Sequence, residues 1–389
     1  MKRLRVGVVY GGRSSEHEVS LASAAAIFAN FDRTRYDPVP IRIERDGRWS
    51  LADRPPSSES AADTIEHARN RPRDTARVQR EILPLAHPSD ETLLMIERGV
   101  TRASRSEKSV YPLISGMTLD VIFPIIHGPY GEDGTLQGLF ELANIPYVGA
   151  GVLAGAVGMD KSVMKVVFTE SGLPVVNHET VGRREWRNAE TEILTRLTNR
   201  LAFPLFVKPA NLGSSLGISR TTDRRSLSTA IDLAAEFDRK IVIEEGVVPC
   251  REIECAILGN DLPEASIPGE VITSRDFYDY EAKYLDDRSE MVIPAALTAS
   301  ETKEITSLAV AAFRSVDCAG MARVDFLVNS DNGRIFVNEI NTHPGFTTIS
   351  MFAKMWAASG VSYSALLDRL IALALERHAE KQKTRTSGM

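Results

Sequence analysis

Four side chains in the C-terminal part of the chain form its most chemically suggestive pattern: Arg323 with Asp325, then Glu339 with Asn341. The members of each pair are two residues apart. Side chains alternate faces along a β-strand, so each pair shares one face of its strand. Two apolar runs, residues 321–328 and 334–340, carry the pattern, and Asn329-Ser330-Asp331-Asn332-Gly333 joins them. An Asn-Gly pair between apolar runs predicts a hairpin. If the hairpin pairs odd positions with odd, Asp325, Glu339 and Asn341 converge beside Arg323. Two carboxylates, an amide oxygen and a neighbouring cation suit a hard divalent ion that holds phosphate oxygens, Mg²⁺ being the usual choice. A salt-bridged solvent face is the competing reading. The apolar neighbours favour a site, and Thr342-His343-Pro344-Gly345 follows as a loop able to expose backbone N–H groups.

Candidate partners for such phosphates lie upstream. A strand over residues 204–209 carries Lys208, and Asn211-Leu212-Gly213-Ser214-Ser215-Leu216-Gly217-Ile218 follows it. The two glycines give freedom, and the hydroxyls and N–H groups can wrap phosphate oxygens. The lysine precedes the glycines, so this is not a Walker loop. Lysine on a strand under a glycine-serine lid is a different nucleotide clamp. Lys161 opens a helix running to about Glu170 and supplies a second candidate cation. A strand over residues 241–243 leads into Glu244-Glu245-Gly246-Val247, and one over residues 251–258 puts Glu252 and Glu254 on one face. A carboxylate where a strand leaves an adenine pocket can accept from an amino group or from ribose hydroxyls. Residues 274–284 are too charged and aromatic for a core strand. They read as a lid-like loop carrying Lys283 and Tyr284, or as an exposed loop with its aromatics turned inward.

The N-terminal part opens as an α/β unit: strand 4–10, Gly11-Gly12, then helix 19–31. Glu16, in the loop before that helix, could hold an ammonium group; a solvent-exposed carboxylate is the plainer reading. Residues 44–115 lose the pattern. They include a linker-like Pro55-Pro56-Ser57-Ser58 and a basic run at 69–80, and predict a surface excursion with some helix. Residues 121–126 form a continuous apolar strand suited to the middle of a parallel sheet. His127-Gly128-Pro129-Tyr130-Gly131-Glu132-Asp133-Gly134 follows at its C-terminal end, the edge where open α/β sheets bind ligands. His127 there could be an acid/base, an anion contact or a structural ring. A helix over 135–143, a strand over 145–148 and a strand over 174–178 are also predicted. So are helices over 185–201, 300–316, 347–358 and 363–379.

At 389 residues, the chain is too long for one ordinary core. Its net charge of −6 argues against a broad nucleic-acid surface, and no apolar run is long enough to span a bilayer. Cys250, Cys255 and Cys318 lack metal spacing and are expected as buried, inert thiols in a cytoplasmic protein.

Six segments together resemble the D-alanine–D-alanine ligase family of the ATP-grasp superfamily. They are GGRSSEHEVSLASA from Gly11, HGPYGEDGTLQG from His127, GMDKSVMK from Gly158, FPLFVKPANLGSSLGISR from Phe203, FYDYEAKY from Phe277, and RVDF with VNEINTHPGFTTISM from Arg323. They occur in the family's order and cover nearly the whole chain except 44–115 and the C-terminal tail.

The resemblance implies an α/β ATP-grasp fold of three subdomains. These would be an N-terminal parallel-sheet substrate domain at 1–150 with an insertion at about 44–115, a central subdomain at 151–248, and a C-terminal one at 249–389. The last two would form a two-part nucleotide clamp. It implies ATP as nucleotide, bound by Lys161, Lys208, Ser215, Glu244, Glu245, Val247, Glu252, Phe277 and Lys283. Two Mg²⁺ (or Mn²⁺) ions would sit at Asp325, Glu339 and Asn341. Glu16 would hold the first D-alanine's ammonium, fixed by the pair Ser214 and Tyr284. Arg323 and the Gly345 N–H would meet the oxyanion, Ser350 and Met351 the second D-alanine's carboxylate, and His127 would neighbour the substrates. The implied partners are D-alanine and ATP, with no nucleic acid and no membrane, and the implied assembly is a homodimer through the N-terminal region.

Near rivals are D-alanyl-D-lactate and D-alanyl-D-serine ligases of the same fold. Tyr284 in its EAKY context speaks against the lactate type, while Met351 stands where many relatives carry leucine. A catalytically dead nucleotide-binding protein is disfavoured by the full set of lysines and metal ligands. A ligase for another acid is disfavoured by Glu16 and Ser350.

Overall fold

We describe the fold from a computed structural model, which places residues 2–56, 80–97, 113–213, 216–272, 290–347 and 349–385. The chain divides into two compact units. The first holds Met1–Val152, Gly345–Ala353 and Val361–Met389, and the second holds Leu153–Pro344 and Lys354–Gly360.

The first unit is built on a seven-stranded sheet: β1 (Leu4–Gly11), β2 (Tyr36–Ile43), β3 (Trp49–Leu51), β4 (Arg80–Pro84), β5 (Leu93–Glu97), β6 (Leu113–Met117) and β7 (Val121–Pro124), in the order β6-β5-β4-β3-β2-β1-β7. β1 pairs in parallel with β2 on one side and β7 on the other. Both β1 and β7 are buried on both faces, as their continuous apolar runs require. The chain leaves β1 towards β2 and returns on the opposite side at β7. This is a topological switch point, where such sheets open a crevice at their C-terminal edge.

Where described, the surface excursion expected at 44–115 belongs to the sheet, and the helix expected within it at 57–79 or 98–112 lies outside the described residues. Among the described residues of 44–115 there is no helix; β3 to β6 extend the sheet as antiparallel strands. These strands are three to five residues long, too short to show a period in the sequence. Residues 57–79, which hold most of the basic run, lie outside the described residues. The predicted strand over 145–148 reduces to a single parallel bridge, Tyr147 to Ile122.

Gly11 ends β1 in the left-handed region at φ +94°, and an added Cβ would lie 2.3 Å from the Ile43 carbonyl oxygen. Gly11→Ala is therefore expected to destabilise the protein by about 1–3 kcal/mol from backbone strain alone, read as a lower urea midpoint at unchanged m-value.

The second unit contains two sheets. One is antiparallel, with β8 (His178–Gly182), β9 (Leu205–Pro209), β10 (Ser219–Thr221) and β11 (Lys240–Glu245) in the order β10-β9-β11-β8. The strand predicted at 174–178 thus begins four residues later. Helices Arg183–Arg200 and Arg224–Phe237 cover this sheet through Trp186, Leu194, Leu197, Leu227, Ile231 and Ala234.

The other sheet holds β12 (Cys250–Gly259), β13 (Glu264–Ala265), β14 (Gly269–Ile272), β15 (Glu290–Val292), β16 (Gly320–Asn329) and β17 (Ile335–Asn341). Its core face is packed by helix Ala299–Ser315 through Ile305, Ala309, Ala312 and Phe313. Cys255 and Cys318 are buried, and burial pushes the Cys255 thiol up to about 12. Cys250 is exposed at the start of β12, contrary to the expectation that all three thiols are buried. No single described helix is long and apolar enough to cross a membrane.

Candidate active site

The hairpin predicted from the Asn-Gly pair is present. Asn329 Oδ1 accepts from the N–H groups of Asp331 and Asn332, and Gly333 closes the turn at φ +69°. Near the open end the register pairs odd with odd: Arg323 opposite Asn341 and Asp325 opposite Glu339. It then shifts, so that Phe326 faces Val337. Asn338 is the extra residue of a β-bulge. The bulge lets Ile335, Val337 and Ile340 all turn to the core, although Ile340 breaks their parity. It also turns Glu339 and Asn341 to the half-buried face that carries Arg323 and Asp325.

β12 extends this face, with Glu254 directly opposite Asp325. Three carboxylates, Glu254, Asp325 and Glu339, therefore stand in a row across three adjacent strands. Like charges so placed repel, and Arg323 offsets the repulsion. Its Nε and Nη2 donate to Asp325 Oδ1 and Oδ2, both at 2.7 Å, and Nε lies 3.2 Å from Glu254 Oε2. Burial alone would lower the Arg323 pKa, but Asp325, Glu254 and Glu339 outweigh it and hold the pKa well above the usual value. Among the described residues no three His, Cys, Asp or Glu side chains group as a metal site. Asp325 and Glu339, completed by the Asn341 amide, form an all-oxygen donor set on one face, which fits a hard divalent ion. The Asn341 Oδ1 accepts from the His343 N–H at 3.0 Å, which orients that amide.

The lysines belong to the same unit. Asp160 caps helix Lys161–Glu170 by accepting from the Val163 N–H. The Lys161 N–H donates to the Ala210 carbonyl at 2.9 Å and its Nζ to the Leu212 carbonyl at 3.0 Å. The same Nζ lies 3.6 Å from Glu339 Oε2. Lys161 thus spans from the foot of the glycine-serine loop to the carboxylate row. Asp238 holds that foot by accepting from the backbone and side-chain N–H groups of Asn211 at 2.7 and 2.9 Å.

Lys208 is buried on β9 and donates to Glu244 Oε2 at 2.8 Å. Glu244 is equally buried on β11, and its other oxygen lies 3.3 Å from Lys165 Nζ. Burial pushes the Glu244 pKa up, yet Lys165 and Lys208 outweigh it and hold it at about 2. Burial is also the largest influence on Lys165, and its pKa is lowered. The sequence reading missed Lys165. Its spacing of four from Lys161 on one helix was the available signal, because such residues share a face.

Glu245 is tied into the unit, accepting from Asn177 Nδ2 and the Ala202 N–H, both at 2.8 Å. Val247 follows β11 half-buried, and Glu252 lies half-buried on β12, paired with Leu327 and Val271. Ser214, Ser215, Phe277, Lys283 and Tyr284 lie outside the described residues.

The first unit gathers the remaining candidates. Glu16 is buried rather than solvated, and a Cβ on Gly128 would come within 2.5 Å of its Oε2. Ser14 joins the two loops, accepting from the Glu16 N–H and donating to the His127 carbonyl at 2.6 Å. His127 is buried, with Nδ1 3.2 Å from Glu132 Oε1 and Nε2 3.1 Å from Ser23 Oγ. Gly345 approaches Ser350, whose Oγ would lie 3.0 Å from an added Cβ. Ser350 Oγ accepts from the Thr347 N–H at 3.0 Å and contacts the Thr347 hydroxyl at 2.8 Å. That turn delays the helix predicted from 347, which instead starts at the buried Met351.

Two family models match the chain: "D-ala D-ala ligase N-terminus" over residues 5–150 and "D-ala D-ala ligase C-terminus" over residues 167–372. The chain is 45% identical over 389 residues to the D-alanine–D-alanine ligase of Ruminiclostridium cellulolyticum, covering 100% of this chain and 99% of that one. It is 46% identical over 380 residues to that of Geobacillus thermodenitrificans, covering 98% of each. Among solved structures, it is similar to the D-alanine-D-alanine ligase of Coxiella burnetii, with TM-score 0.78 and 36% identity over 98% of this chain and 97% of that one. A D-Ala:D-Ser ligase of Enterococcus faecalis also superposes, with TM-score 0.78 and 33% identity over 96% and 100% of the two chains.

Proposed function

This chain belongs to the D-alanine–D-alanine ligase family and has its α/β ATP-grasp fold, and we propose that it joins two D-alanines in an ATP-dependent reaction. One observation supports the reading above the others. Lys161 lies 3.6 Å from Glu339, which stands opposite Asp325 on the neighbouring strand. Cations and paired carboxylates on one face suit a polyphosphate carried with divalent ions.

A carboxylate is a poor electrophile. In the proposed reaction an oxygen of the first D-alanine's carboxylate bonds the γ-phosphorus of ATP, and the bond from that phosphorus to the ADP oxygen breaks. The second D-alanine's amine nitrogen then bonds the activated carbon and loses a proton. The carbon–oxygen bond to phosphate breaks last. Charge on the transferring phosphoryl group spreads over its oxygens, so catalysis is chiefly positioning and electrostatic stabilisation. We assign Lys161 and Lys208 to the ATP phosphates, with Lys208 held in place by Glu244. Glu245, Val247 and Glu252 are assigned to the nucleoside, and Ser215, Phe277 and Lys283 complete the nucleotide set. Asp325, Glu339 and Asn341 would hold two Mg²⁺ (or Mn²⁺) ions, which neutralise phosphate charge when bound.

Glu16, buried in its loop, is assigned to the ammonium of the first D-alanine, with Ser214 and Tyr284 as its supports. Arg323 and the Gly345 N–H are assigned to the oxyanion, and Ser350 and Met351 to the second carboxylate. His127 neighbours the substrates. The further proposals are three subdomains at 1–150, 151–248 and 249–389, a cytoplasmic homodimer, and a product used in peptidoglycan synthesis.

Incubating the protein with ATP, Mg²⁺ and D-alanine should release phosphate and yield D-alanyl-D-alanine by mass spectrometry. D-lactate and D-serine serve as alternative second substrates. Absence of the dipeptide, alongside an ester formed with D-lactate, would overturn the assignment.

A further inference from the structure

Ser23 lies in the middle of helix His17–Asn30, among alanines, and is fully buried. A serine hydroxyl in such a place needs hydrogen-bond partners, and here they come from two distant loops. The Phe346 N–H donates to Ser23 Oγ at 3.3 Å, and His127 Nε2 lies 3.1 Å from the same oxygen. On its other side the His127 ring places Nδ1 3.2 Å from Glu132 Oε1.

The proton order follows from the donors. The Glu132 carboxylate only accepts, so a neutral His127 carries its proton on Nδ1 and presents a lone pair at Nε2. Ser23 already accepts from Phe346, and its own proton turns towards that lone pair. The chain of donors runs from the Phe346 N–H through Ser23 to His127, and from His127 Nδ1 to Glu132.

Phe346 is held on its other peptide as well. The Tyr363 hydroxyl donates to the Phe346 carbonyl at 2.6 Å. Burial raises the Tyr363 phenol far above its usual value, so it remains a donor. The Phe346 ring is fully buried against Phe123, Phe352 and Tyr363. Both peptide planes of the residue that follows Gly345 are therefore fixed by side-chain hydroxyls.

We propose that Ser23 is a positioning residue for the ligation step: together with Tyr363 it pins the Gly345–Phe346 backbone, and it links that backbone to the Glu132–His127 pair. The role rests on the assignment of the Gly345 N–H to the oxyanion. His127, engaged at both ring nitrogens, orients this loop instead of serving as the primary base for the attacking amine.

Ser23→Ala leaves the Phe346 N–H and His127 Nε2 without this hydroxyl. It should lower kcat for dipeptide formation about ten- to a hundred-fold, the scale of a small misplacement near reacting atoms, while KM for ATP stays within about twofold. Tyr363→Phe should show the same split. In ¹⁵N-histidine NMR spectra, wild-type His127 should carry its proton on Nδ1, and Ser23→Ala should shift the Nε2 resonance. Wild-type turnover with Ser23→Ala folded and equally fast overturns the proposal, as does a wild-type His127 protonated on Nε2 alone. If Ser23→Ala does not fold, an unchanged kcat for Tyr363→Phe overturns it. A wild-type protein that makes no dipeptide would instead refute the assigned reaction, and the NMR result would still decide whether the relay exists.

Discussion

Replacing Glu244 with glutamine is expected to lower folding stability by about 3–5 kcal/mol, because it leaves two buried ammonium groups without their shared counter-charge. Lys208 Nζ is 2.8 Å from one Glu244 oxygen and Lys165 Nζ 3.3 Å from the other. Lys165 also donates to the Asn338 carbonyl at 3.3 Å, so the triad is anchored to the bulge of β17. The loss should depend on pH. Glu244 ionises at about 2 in the folded protein against an ordinary 4.5. A depressed carboxylate pKa contributes its full stabilisation above the unfolded value and loses it as pH falls through the folded one. The stability gap between wild type and Glu244→Gln should therefore be widest near neutral pH and close between about pH 4.5 and 2. Chemical unfolding at several pH values reads both effects. Glu244→Gln combined with Lys165→Met should recover part of the loss, since one buried charge is removed with its partner. A variant as stable as wild type at pH 7 would show that Glu244 does not offset the charges of Lys165 and Lys208.

How far the sequence revealed these features depended on whether the signal was local. The β16–β17 hairpin was legible because a turn signature and two apolar runs lie side by side. The convergence of Asp325, Glu339 and Asn341 followed from alternation together with an odd-with-odd register, which holds on the open side of the bulge. The bulge at Asn338 was not read, although its trace is there: the buried residues change parity between Val337 and Ile340. Glu254 was seen beside Glu252 on one strand face, but its place next to Asp325 depends on the register of β12 against β16. No local pattern encodes that pairing. Residues 80–97 and 113–115 read as an excursion because five-residue strands carry too few positions to show a period. Only pairing makes them strands. Ser23 was silent for the same reason, since nothing in an alanine-rich helix marks a hydroxyl that two remote loops require.

The carboxylate row also shows why the charged face is not simply solvated. Glu254, Asp325 and Glu339 occupy directly opposed positions, an arrangement that a folded sheet tolerates only with cations beside it. Arg323 supplies one from within the row, and Lys161 supplies another at Glu339. Asp325 is committed to Arg323 through both its oxygens. Glu339, 3.6 Å from Lys161, is the more exposed of the two carboxylates, 28% against 15%. That asymmetry makes Glu339 the carboxylate readiest to take up a further cation.

Glu339→Ala is accordingly expected to lower turnover at least about 100-fold, the scale found when one group stabilising developing charge is removed. The fold should survive, because the side chain is 28% exposed and the core positions beside it, Val337 and Ile340, are untouched. Like-charge repulsion across β16 and β17 is relieved as well, so the melting temperature should stay level or rise slightly. Glu339→Gln separates charge from shape. It keeps an oxygen donor but not the anion, so it should retain more activity than the alanine variant while needing more Mg²⁺ for half-maximal rate. Phosphate release measured against Mg²⁺ concentration gives both quantities, and circular dichroism melting gives the stability. Wild-type turnover in Glu339→Ala would move the metal site away from this face. A shared loss of turnover and of folding would assign Glu339 to the scaffold instead.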